Sequence, residues 1–272
     1  MKKLLLLLLP LLLGGCAANT NNQSQQENTS NKVDSVISAE KLSQWTYSSG
    51  DKPVKVLNDD RPSTIKASDF KSEHIDYGGL DKLNRTKTAT AYLTGNNLGR
   101  SNTRTEQTWR PTGWNNQPRY VKGQRIIPQN RGHLIAYTMT FNLNKSGQVQ
   151  QGELGSIDNP YNLFTQTSFS NQKTMVQVEQ TVRNSLAKNK KVIYQVTPVF
   201  RGNELMARGV WVQALATDGS MKLNRYLWNV EDHLQFDYAT GRSRVDLEFQ
   251  VPEVKNPYQQ RHYYKKNYHR NY

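Results

Sequence analysis

The clearest candidate for chemistry is His133, which stands in the stretch PQNRGHLIAY at 128–137. The chain has five histidines, and this one follows an Arg-Gly step directly before an apolar run. An imidazole has an unperturbed pKa of about 6.5, so it can take a proton from water at neutral pH as a general base. A single histidine beside apolar residues is more often structural, and the rest of the sequence must decide between the two interpretations.

Four polar residues follow downstream: Asn162, Asn171, Glu179 and Arg183. Asn162 could sit in a turn after Asn159-Pro160, and Asn171 could begin a helix. Glu179 and Arg183 have the i,i+4 spacing of a surface ion pair, which is worth a few tenths of a kcal/mol. Taken singly, each of these residues therefore has a structural explanation.

The order of these residues resembles the DNA/RNA non-specific endonuclease family, the ββα-metal nucleases, and most closely its streptococcal-type DNA-entry and secreted branch. The family signature is Asp-Arg-Gly-His, then a strand that carries an Asn, then a helix that carries an Asn, a Glu and an Arg. The matching positions here are Arg131, Gly132, His133, Asn162, Asn171, Glu179 and Arg183. Further matches are YGGLDKLNRTKTATAYL (77–93) and RPTGW (110–114), within a resemblance that covers about residues 75–250.

This resemblance implies an α+β fold in which a ββα-metal (His-Me finger) nuclease core lies on an antiparallel sheet. It also implies Mg²⁺-dependent endonucleolytic cleavage of DNA that leaves 5′-phosphate ends, with RNA left open as a second substrate. Little sequence preference is expected, because phosphate contacts hold a nucleic acid without identifying its bases.

The residue types fit this chemistry independently. Asn171 can offer one neutral oxygen to Mg²⁺, which keeps several waters and completes its octahedron with phosphate; Mn²⁺ is the alternative ion. Glu179 lies eight residues on, about 12 Å along an α-helix, and is expected to act on the ion through water. Gly132 allows His133 a backbone shape, or a close approach to substrate, that a Cβ would obstruct.

The remaining candidates would position the site or hold the substrate. Asn162 would position the site from the adjacent strand, and Arg183 could hold a phosphate oxygen with its planar guanidinium. Arg131 could do likewise or be structural, and Arg110, in RPTGW, is a further candidate substrate contact. Asn130 stands where the family has Asp; it keeps the size and one acceptor but lacks the negative charge, which would favour a protonated imidazole. The exchange therefore bears on efficiency more than on activity.

Apolar periodicity indicates the elements that must position these residues. A helix is predicted from Asn171 to Lys188, capped by Ser170, with a buried stripe of Met175, Val178, Val182 and Leu186. Strands are predicted at 86–94, 162–167, 192–200 and 209–217, with weaker candidates at 223–230 and 243–249. Residues 100–122 are predicted to form a long loop, followed by an extended run at Gln124–Pro128. The pattern is that of an α+β protein with an antiparallel sheet and a few helices.

The N-terminal stretch MKKLLLLLLPLLLGGC has the layout of an export signal, assigned to residues 1–15. Leu13-Gly14-Gly15-Cys16 resembles a bacterial lipobox, and Cys16 is the only cysteine in the chain. A lipid anchor on Cys16, holding the protein at a membrane, is therefore predicted; ordinary secretion or a retained N-terminal helix are the alternatives. Residues 16–38, rich in Asn, Gln and Ser, are predicted to be a disordered tether to a nuclease domain at 39–252.

The formal net charge of +14 suits a polyanionic partner such as nucleic acid, anionic lipid or wall polymer. A basic surface can also serve only solubility. The tail at 253–272, which contains NPYQQRHYYKKNYHRNY, interleaves tyrosines with cations. That composition is typical of single-strand nucleic-acid binding, and equally of a frayed, solvated terminus.

Two functions from different classes account for these features. One is a surface-tethered, Mg²⁺-dependent non-specific endonuclease; the other is a non-catalytic nucleic-acid-binding or adhesion lipoprotein. The combination of His133, Asn171 and Glu179 favours the enzyme, because a protein that only binds has no need of it. No Gly-rich phosphate loop follows a strand, no Cys/His set for zinc is present, and no protein partner is implied.

Overall fold

The structure of the chain, a computed structural model, describes residues 37–255. Within that range the α-helices are α1 at Ala39–Ser43 and α2 at Val176–Leu186, and a π-helical turn at Ser170–Met175 leads directly into α2. The strands are β1 Val54–Val56, β2 His74–Tyr77, β3 Ala89–Leu93, β4 Arg119–Val121, β5 Gln124–Ile126, β6 Gln129–His133, β7 Leu163–Thr167, β8 Val192–Val199, β9 Gly209–Ala216, β10 Lys222–Trp228, β11 Leu234–Asp237 and β12 Arg242–Val245.

Six of these strands form one antiparallel sheet in the order β1-β10-β9-β8-β3-β2. On β9, Val210 and Val212 belong to the main hydrophobic cluster, whereas Trp211 between them belongs to a second cluster with Tyr226. Because successive side chains of a strand point to opposite faces, both faces of this sheet are covered. The strands predicted at 192–200 and 209–217 are confirmed, each ending one residue earlier than expected.

The predicted apolar stripe packs α2 and the π turn onto one face of this sheet. Its four residues are each at most 1% exposed and share the main cluster with sheet residues such as Ala91 and Val196. Burial of an aliphatic side chain contributes about 1.5–3 kcal/mol, so this stripe fixes where the helix lies. The stripe is confirmed as Met175, Val178, Val182 and Leu186.

The start of the helix differs from the prediction. A regular α-helix from Asn171 capped by Ser170 is wrong, because residues 170–175 form a π turn. The Ser170 hydroxyl instead accepts a hydrogen bond from Gln166, while the Ser170 N–H donates to the Thr167 hydroxyl at 3.1 Å. π turns of this kind occur frequently at functional sites. The α-helix also ends at Leu186, before the predicted Lys188.

The strands near His133 are more extensive than predicted. The first three residues of the extended run at Gln124–Pro128 form β5, which makes a hairpin with β4. A further strand, β6, begins directly after the run, at Gln129, and includes the Arg-Gly-His step itself. The predicted loop at 100–122 therefore ends in a strand. Asn162 closes a 3₁₀ turn at Pro160–Asn162, so the strand predicted from 162 begins at Leu163.

The outer predicted strands are found with shifted bounds. The strand predicted at 86–94 is β3, and the weaker candidates at 223–230 and 243–249 are β10 and the shorter β12. β12 pairs with β11, a strand that was not predicted. The described residues thus form mostly antiparallel sheet with few helices, and no helix between 37 and 255 is long and apolar enough to cross a membrane.

Some predictions concern residues outside the described range. The signal at 1–15, Cys16, the tether as far as residue 36 and the tail from residue 256 lie outside it. Ile37 and Val254, which the sequence assigns to the tether and the tail, pack against the second cluster beside Leu42 and Trp228.

Candidate active site

The hairpin of β6 and β7 determines where His133 lies. The two strands are antiparallel, with His133 opposite Leu163 at the end of the pairing. Leu134 and Ile135, which follow, are fully buried. Burial of these two side chains draws the chain into the core and leaves His133 at the edge of the hairpin.

Asn162 holds the segment that follows His133. Its side-chain Nδ2 donates to the Ile135 carbonyl at 2.9 Å, and its Oδ1 accepts from the Ile135 N–H at 2.9 Å. Its own carbonyl accepts from the Leu134 N–H at 2.9 Å. Asn162 is fully buried, so these bonds fix the backbone directly after the histidine.

Gly132 is required by a neighbouring side chain rather than by an unusual backbone angle. A Cβ at this position would lie 2.2 Å from Oε1 and 2.7 Å from Cβ of Gln166. Gln166 is fully buried, and its Nε2 donates to the Ser170 hydroxyl at 2.9 Å. Glycine therefore gives Gln166 the space to connect the hairpin to the π turn. The sequence-based explanation of Gly132, by backbone shape or substrate approach, missed this contact.

The imidazole of His133 is partly buried, and its Nε2 lies 3.0 Å from the Ile157 carbonyl. A carbonyl can only accept, so this contact places the ring proton on Nε2 and leaves Nδ1 as an acceptor. Burial lowers the pKa of His133 to about 4; the bond to Ile157 opposes this shift, and the charge of Arg104 adds to it. The ring is therefore neutral at physiological pH and able to accept a proton.

The π turn and α2 supply the opposite wall of the site. Asn171 lies in the π turn and Glu179 in the first turn of α2, and both line the same cleft as His133. Burial raises the pKa of Glu179 to about 7, against the opposing charges of Arg104 and Arg183. Within the described part of the chain, neither the Asn171 nor the Glu179 side chain makes a hydrogen bond.

The cleft between these walls is open and has a volume of about 590 Å³. Among residues 37–255, no three His, Cys, Asp or Glu side chains are grouped as metal ligands. The cleft presents mainly amides and cations beside His133 and Glu179, which suits an anionic substrate. Its polar lining residues are Arg104, Gln107, Asn116, Gln129, Asn130, Arg131, His133, Thr138, Asn171, Gln172 and Glu179.

Comparison with known proteins identifies the family of this chain. Residues 62–217 match the family model described as DNA/RNA non-specific endonuclease. The chain belongs to that family. It is accordingly a hydrolase that acts on nucleic acids, and the predicted resemblance is confirmed.

Solved structures support the family assignment. The chain is similar to NucA from Streptococcus agalactiae with magnesium ion bound, at 26% identity and a TM-score of 0.61, over 71% of this chain and 87% of NucA. The structure of NucA with no metal bound matches at 26% identity and a TM-score of 0.59, over the same shares of the two chains. The predicted nuclease fold is thus confirmed at the level of an antiparallel, NucA-like architecture.

The three arginines predicted as substrate contacts lie in different surroundings. Arg131 lines the cleft, but its Nε donates to the Trp109 carbonyl at 2.6 Å and its guanidinium lies 4.7 Å over the Trp114 ring. Arg183 donates to the Thr138 carbonyl at 2.8 Å, and it is not among the residues that line the cleft. Arg110 is exposed outside the cleft lining. Asn162, buried behind His133, is likewise absent from the lining.

Arg104 was not among the site residues predicted from the sequence, although it lines the cleft with His133 and Glu179. Its charge lowers the pKa of His133 and opposes the rise in the pKa of Glu179. Its guanidinium lies 5.6 Å over the ring of Tyr137, which also lines the cleft. Arg104 stands in a polar stretch without apolar period, so no local sequence pattern indicated it.

Proposed function

We propose that this nuclease is a divalent-metal-dependent endonuclease in which His133 is the general base and Mg²⁺ is the ion. It would cleave DNA and leave 5′-phosphate ends, with RNA left open as a second substrate. The observation that carries the proposal is the contact of His133 Nε2 with the Ile157 carbonyl at 3.0 Å, on an imidazole that lines the cleft opposite Asn171 and Glu179. A neutral ring with its tautomer fixed is what a general base requires.

In the proposed reaction, Nδ1 of His133 takes a proton from a water molecule. The water oxygen attacks the phosphorus, the bond to the 3′ oxygen breaks, and the phosphate remains on the 5′ side. The leaving 3′ oxygen takes a proton from solvent, so the products are a 3′-hydroxyl and a 5′-phosphate. Arg104 and Arg131 lie in the cleft where they would offset the charge on the phosphoryl oxygens.

The helix side of the cleft fits a hydrated divalent ion. Asn171 offers an amide oxygen and Glu179 a carboxylate, and within residues 37–255 neither side chain is taken by another hydrogen bond. The rise in the pKa of Glu179 to about 7 reflects a buried carboxylate that a nearby cation would stabilise. When bound, such an ion polarises the phosphate and stabilises the leaving oxygen. NucA binds magnesium; we propose the same ion here, with Mn²⁺ as a substitute.

Two further residues are proposed to position the site rather than to touch substrate. Asn162 holds the backbone after His133 through Ile135. Arg183 holds the Thr138 carbonyl at 2.8 Å and lies near enough to Glu179 to affect its pKa. Arg110 is exposed and directly follows Trp109, whose carbonyl accepts from Arg131. We propose that Arg110 contacts the nucleic-acid backbone at the surface.

The location of the enzyme is also a proposal. The leader at residues 1–15 and the lipobox-like Leu13-Gly14-Gly15-Cys16 support export and a lipid anchor on Cys16. A domain at 39–252 on a tether at 16–38 would then act on nucleic acid outside the cell. A Cys16→Ser variant of the full-length protein should lose membrane association and appear in the medium; retention on membranes would contradict the anchor.

The direct test of this function is the digestion of supercoiled plasmid with and without EDTA. The expected result is nicked and then linear DNA with Mg²⁺, and intact plasmid with EDTA. Products should accept a radioactive phosphate at their 5′ ends only after phosphatase treatment, because the proposed cut leaves those ends phosphorylated. Binding without cleavage under every metal condition would instead favour the non-catalytic binding protein.

A further inference from the structure

The hairpin of β4 and β5 adjoins the cleft at both of its ends. Asn116, which precedes it, and Ile127, which follows it, both line the cleft. Its strands pair Tyr120 with Arg125, and Arg119 with Ile126. A nucleic-acid strand that enters the cleft therefore has this hairpin as a neighbouring surface.

One face of the hairpin is anchored to the rest of the protein. Val121 is 5% exposed, and Arg119 donates to the Ser243 carbonyl at 3.0 Å from Nε and at 2.8 Å from Nη2. Lys122 Nζ lies 3.0 Å from Nε2 of His233. These contacts hold the hairpin in one orientation, so a ligand on its other face would not have to order it first.

The two-residue turn that joins β4 to β5 also has a defined geometry. Lys122 and Gly123 have φ angles of 49° and 80°, and positive φ at both central residues is what a two-residue type I′ turn requires. This turn matches the twist of the flanking strands and fixes their register. Side chains therefore alternate strictly between the anchored face and the opposite, outward face.

The outward face presents an aromatic ring and a cation side by side. Tyr120 is 68% exposed, more than any other large hydrophobic side chain among residues 37–255. Arg125, directly opposite, is also exposed, and paired side chains of this kind have Cβ atoms about 4.5–5.5 Å apart. In the described part of the chain, neither side chain makes a hydrogen bond or an ion pair.

We propose that this face binds single-stranded nucleic acid beside the scissile phosphate, with Tyr120 stacked on an unpaired base and Arg125 against a backbone phosphate. The inference rests on the proposed function, because it takes the cleft as the place of cleavage. Bases in a duplex already stack on their neighbours, so Tyr120 adds little to duplex binding. Phosphates are present in both forms, so Arg125 acts on both.

The test uses the full chain carrying His133→Ala, so that substrate stays intact, and measures fluorescence anisotropy with a labelled single strand and with its duplex. Tyr120→Ala should weaken single-strand binding about 5- to 150-fold, the effect of one stacked base. Duplex binding should change by no more than about twofold, which is the size expected of a surface substitution that removes no contact. Tyr120→Phe, which keeps the ring, should bind the single strand as the parent does.

Arg125→Ala tests the phosphate contact through the salt dependence of binding. The slope of log K against log salt should fall by about 0.7 for the single strand and by about 0.9 for the duplex. Lys222→Ala, which removes an exposed cation from β10, should leave both slopes unchanged.

The outcomes separate this inference from the proposed function. If wild-type protein cleaves plasmid but Tyr120→Ala binds both forms normally, the hairpin assignment is overturned and the nuclease function stands. Equal weakening on single strand and duplex would overturn the preference for unpaired bases. Absence of cleavage by wild-type protein with Mg²⁺ would instead defeat the proposed function, whatever the hairpin binds.

Discussion

The residues proposed to act on the two sides of the cleft differ in how their side chains are bonded. On the strand side, His133 at the end of β6 is bonded to Ile157, and Asn162, buried behind it, is bonded to Ile135. On the helix side, formed by the π turn and α2, Asn171 and Glu179 make no hydrogen bond within residues 37–255. Bonded groups are fixed before substrate arrives, whereas unbonded polar groups in a cleft are available to water, ions or substrate.

Two glutamates, Glu179 and Glu231, also differ in whether their side chains are bonded. Burial raises the pKa of both Glu179 and Glu231 to about 7. The Glu231 carboxylate accepts from the Phe169 N–H at 2.7 Å, where the chain enters the π turn. Glu231 therefore holds the helix start, while Glu179 faces the cleft. Similar pKa shifts accompany a structural role in one residue and the proposed ion-binding role in the other.

The largest effect is expected on the strand side, from His133→Ala. Loss of the general base should lower the cleavage rate about 10²–10⁴-fold, while folding and DNA binding are retained because the imidazole lies at the edge of the hairpin and is only partly buried. Plasmid cleavage rates and a thermal melt check this prediction. His74→Ala, which removes a histidine stacked on Tyr92, is the control and should keep nearly full activity. Near wild-type cleavage by His133→Ala would refute its assignment as the base.

Asn162→Ala should affect both stability and rate. It leaves the N–H and the carbonyl of Ile135 buried without their partner, which costs about 2–6 kcal/mol at about 1–3 kcal/mol per buried group. Urea unfolding measures this loss, and kcat should fall with unchanged dependence on Mg²⁺, because Asn162 acts through the backbone. The exposed Asn96→Ala is the matched control. A shift in Mg²⁺ dependence would place Asn162 at the ion instead.

Arg104→Ala should weaken substrate binding and change the pH profile. Removal of a charged phosphate contact raises KM about tenfold or more. Because Arg104 lowers the pKa of His133, its loss raises that pKa from about 4. The acid side of the kcat/KM profile should therefore move to higher pH. Arg104→Lys retains the charge and should keep the wild-type profile; identical profiles for all three proteins would exclude electrostatic coupling between Arg104 and His133.

The smallest effect is a pH-dependent change in stability from Glu231→Gln. The pKa of Glu231 is raised from 4.5 to about 7, so wild-type protein loses stability as the pH rises between those values. The glutamine variant lacks this titration. The free energy of unfolding of Glu231→Gln, relative to that of wild type, should therefore rise by about 1–3 kcal/mol from acidic to slightly alkaline pH. Urea unfolding at several pH values measures this difference. The exposed Glu248→Gln is the matched control. A constant difference at all pH values would contradict the raised pKa.

The sequence predicted the parts of this structure that depend on periodicity and order. The stripe of Val178, Val182 and Leu186 identified α2 because burial of one helix face imposes a regular spacing. The order of the motif residues identified the family. The π turn was missed because SNQKTM carries no pattern that distinguishes it from an α-helix.

Contacts between distant segments were also beyond the sequence. The space that Gly132 leaves for Gln166 depends on the register of β6 and β7, and the position of Arg104 depends on a loop without apolar period. Neither is a local property of the chain. The roles of His133, Asn171 and Glu179 stay predictions, for which the two walls of the cleft provide the physical argument.

In the proposed enzyme, the strand side of the cleft supplies the base and the helix side supplies the ion site. The most direct test of this division is the cleavage rate as a function of Mg²⁺ concentration for wild type, His133→Ala and Asn171→Ala. His133→Ala should lower the maximal rate and leave the half-saturating Mg²⁺ concentration unchanged. Asn171→Ala should remove Mg²⁺-dependent activity or raise that concentration at least about tenfold, because it removes one polar contact to a charged ion. Glu179→Ala should have a smaller effect on the same concentration. A wild-type Mg²⁺ dependence in Asn171→Ala would contradict this division of roles.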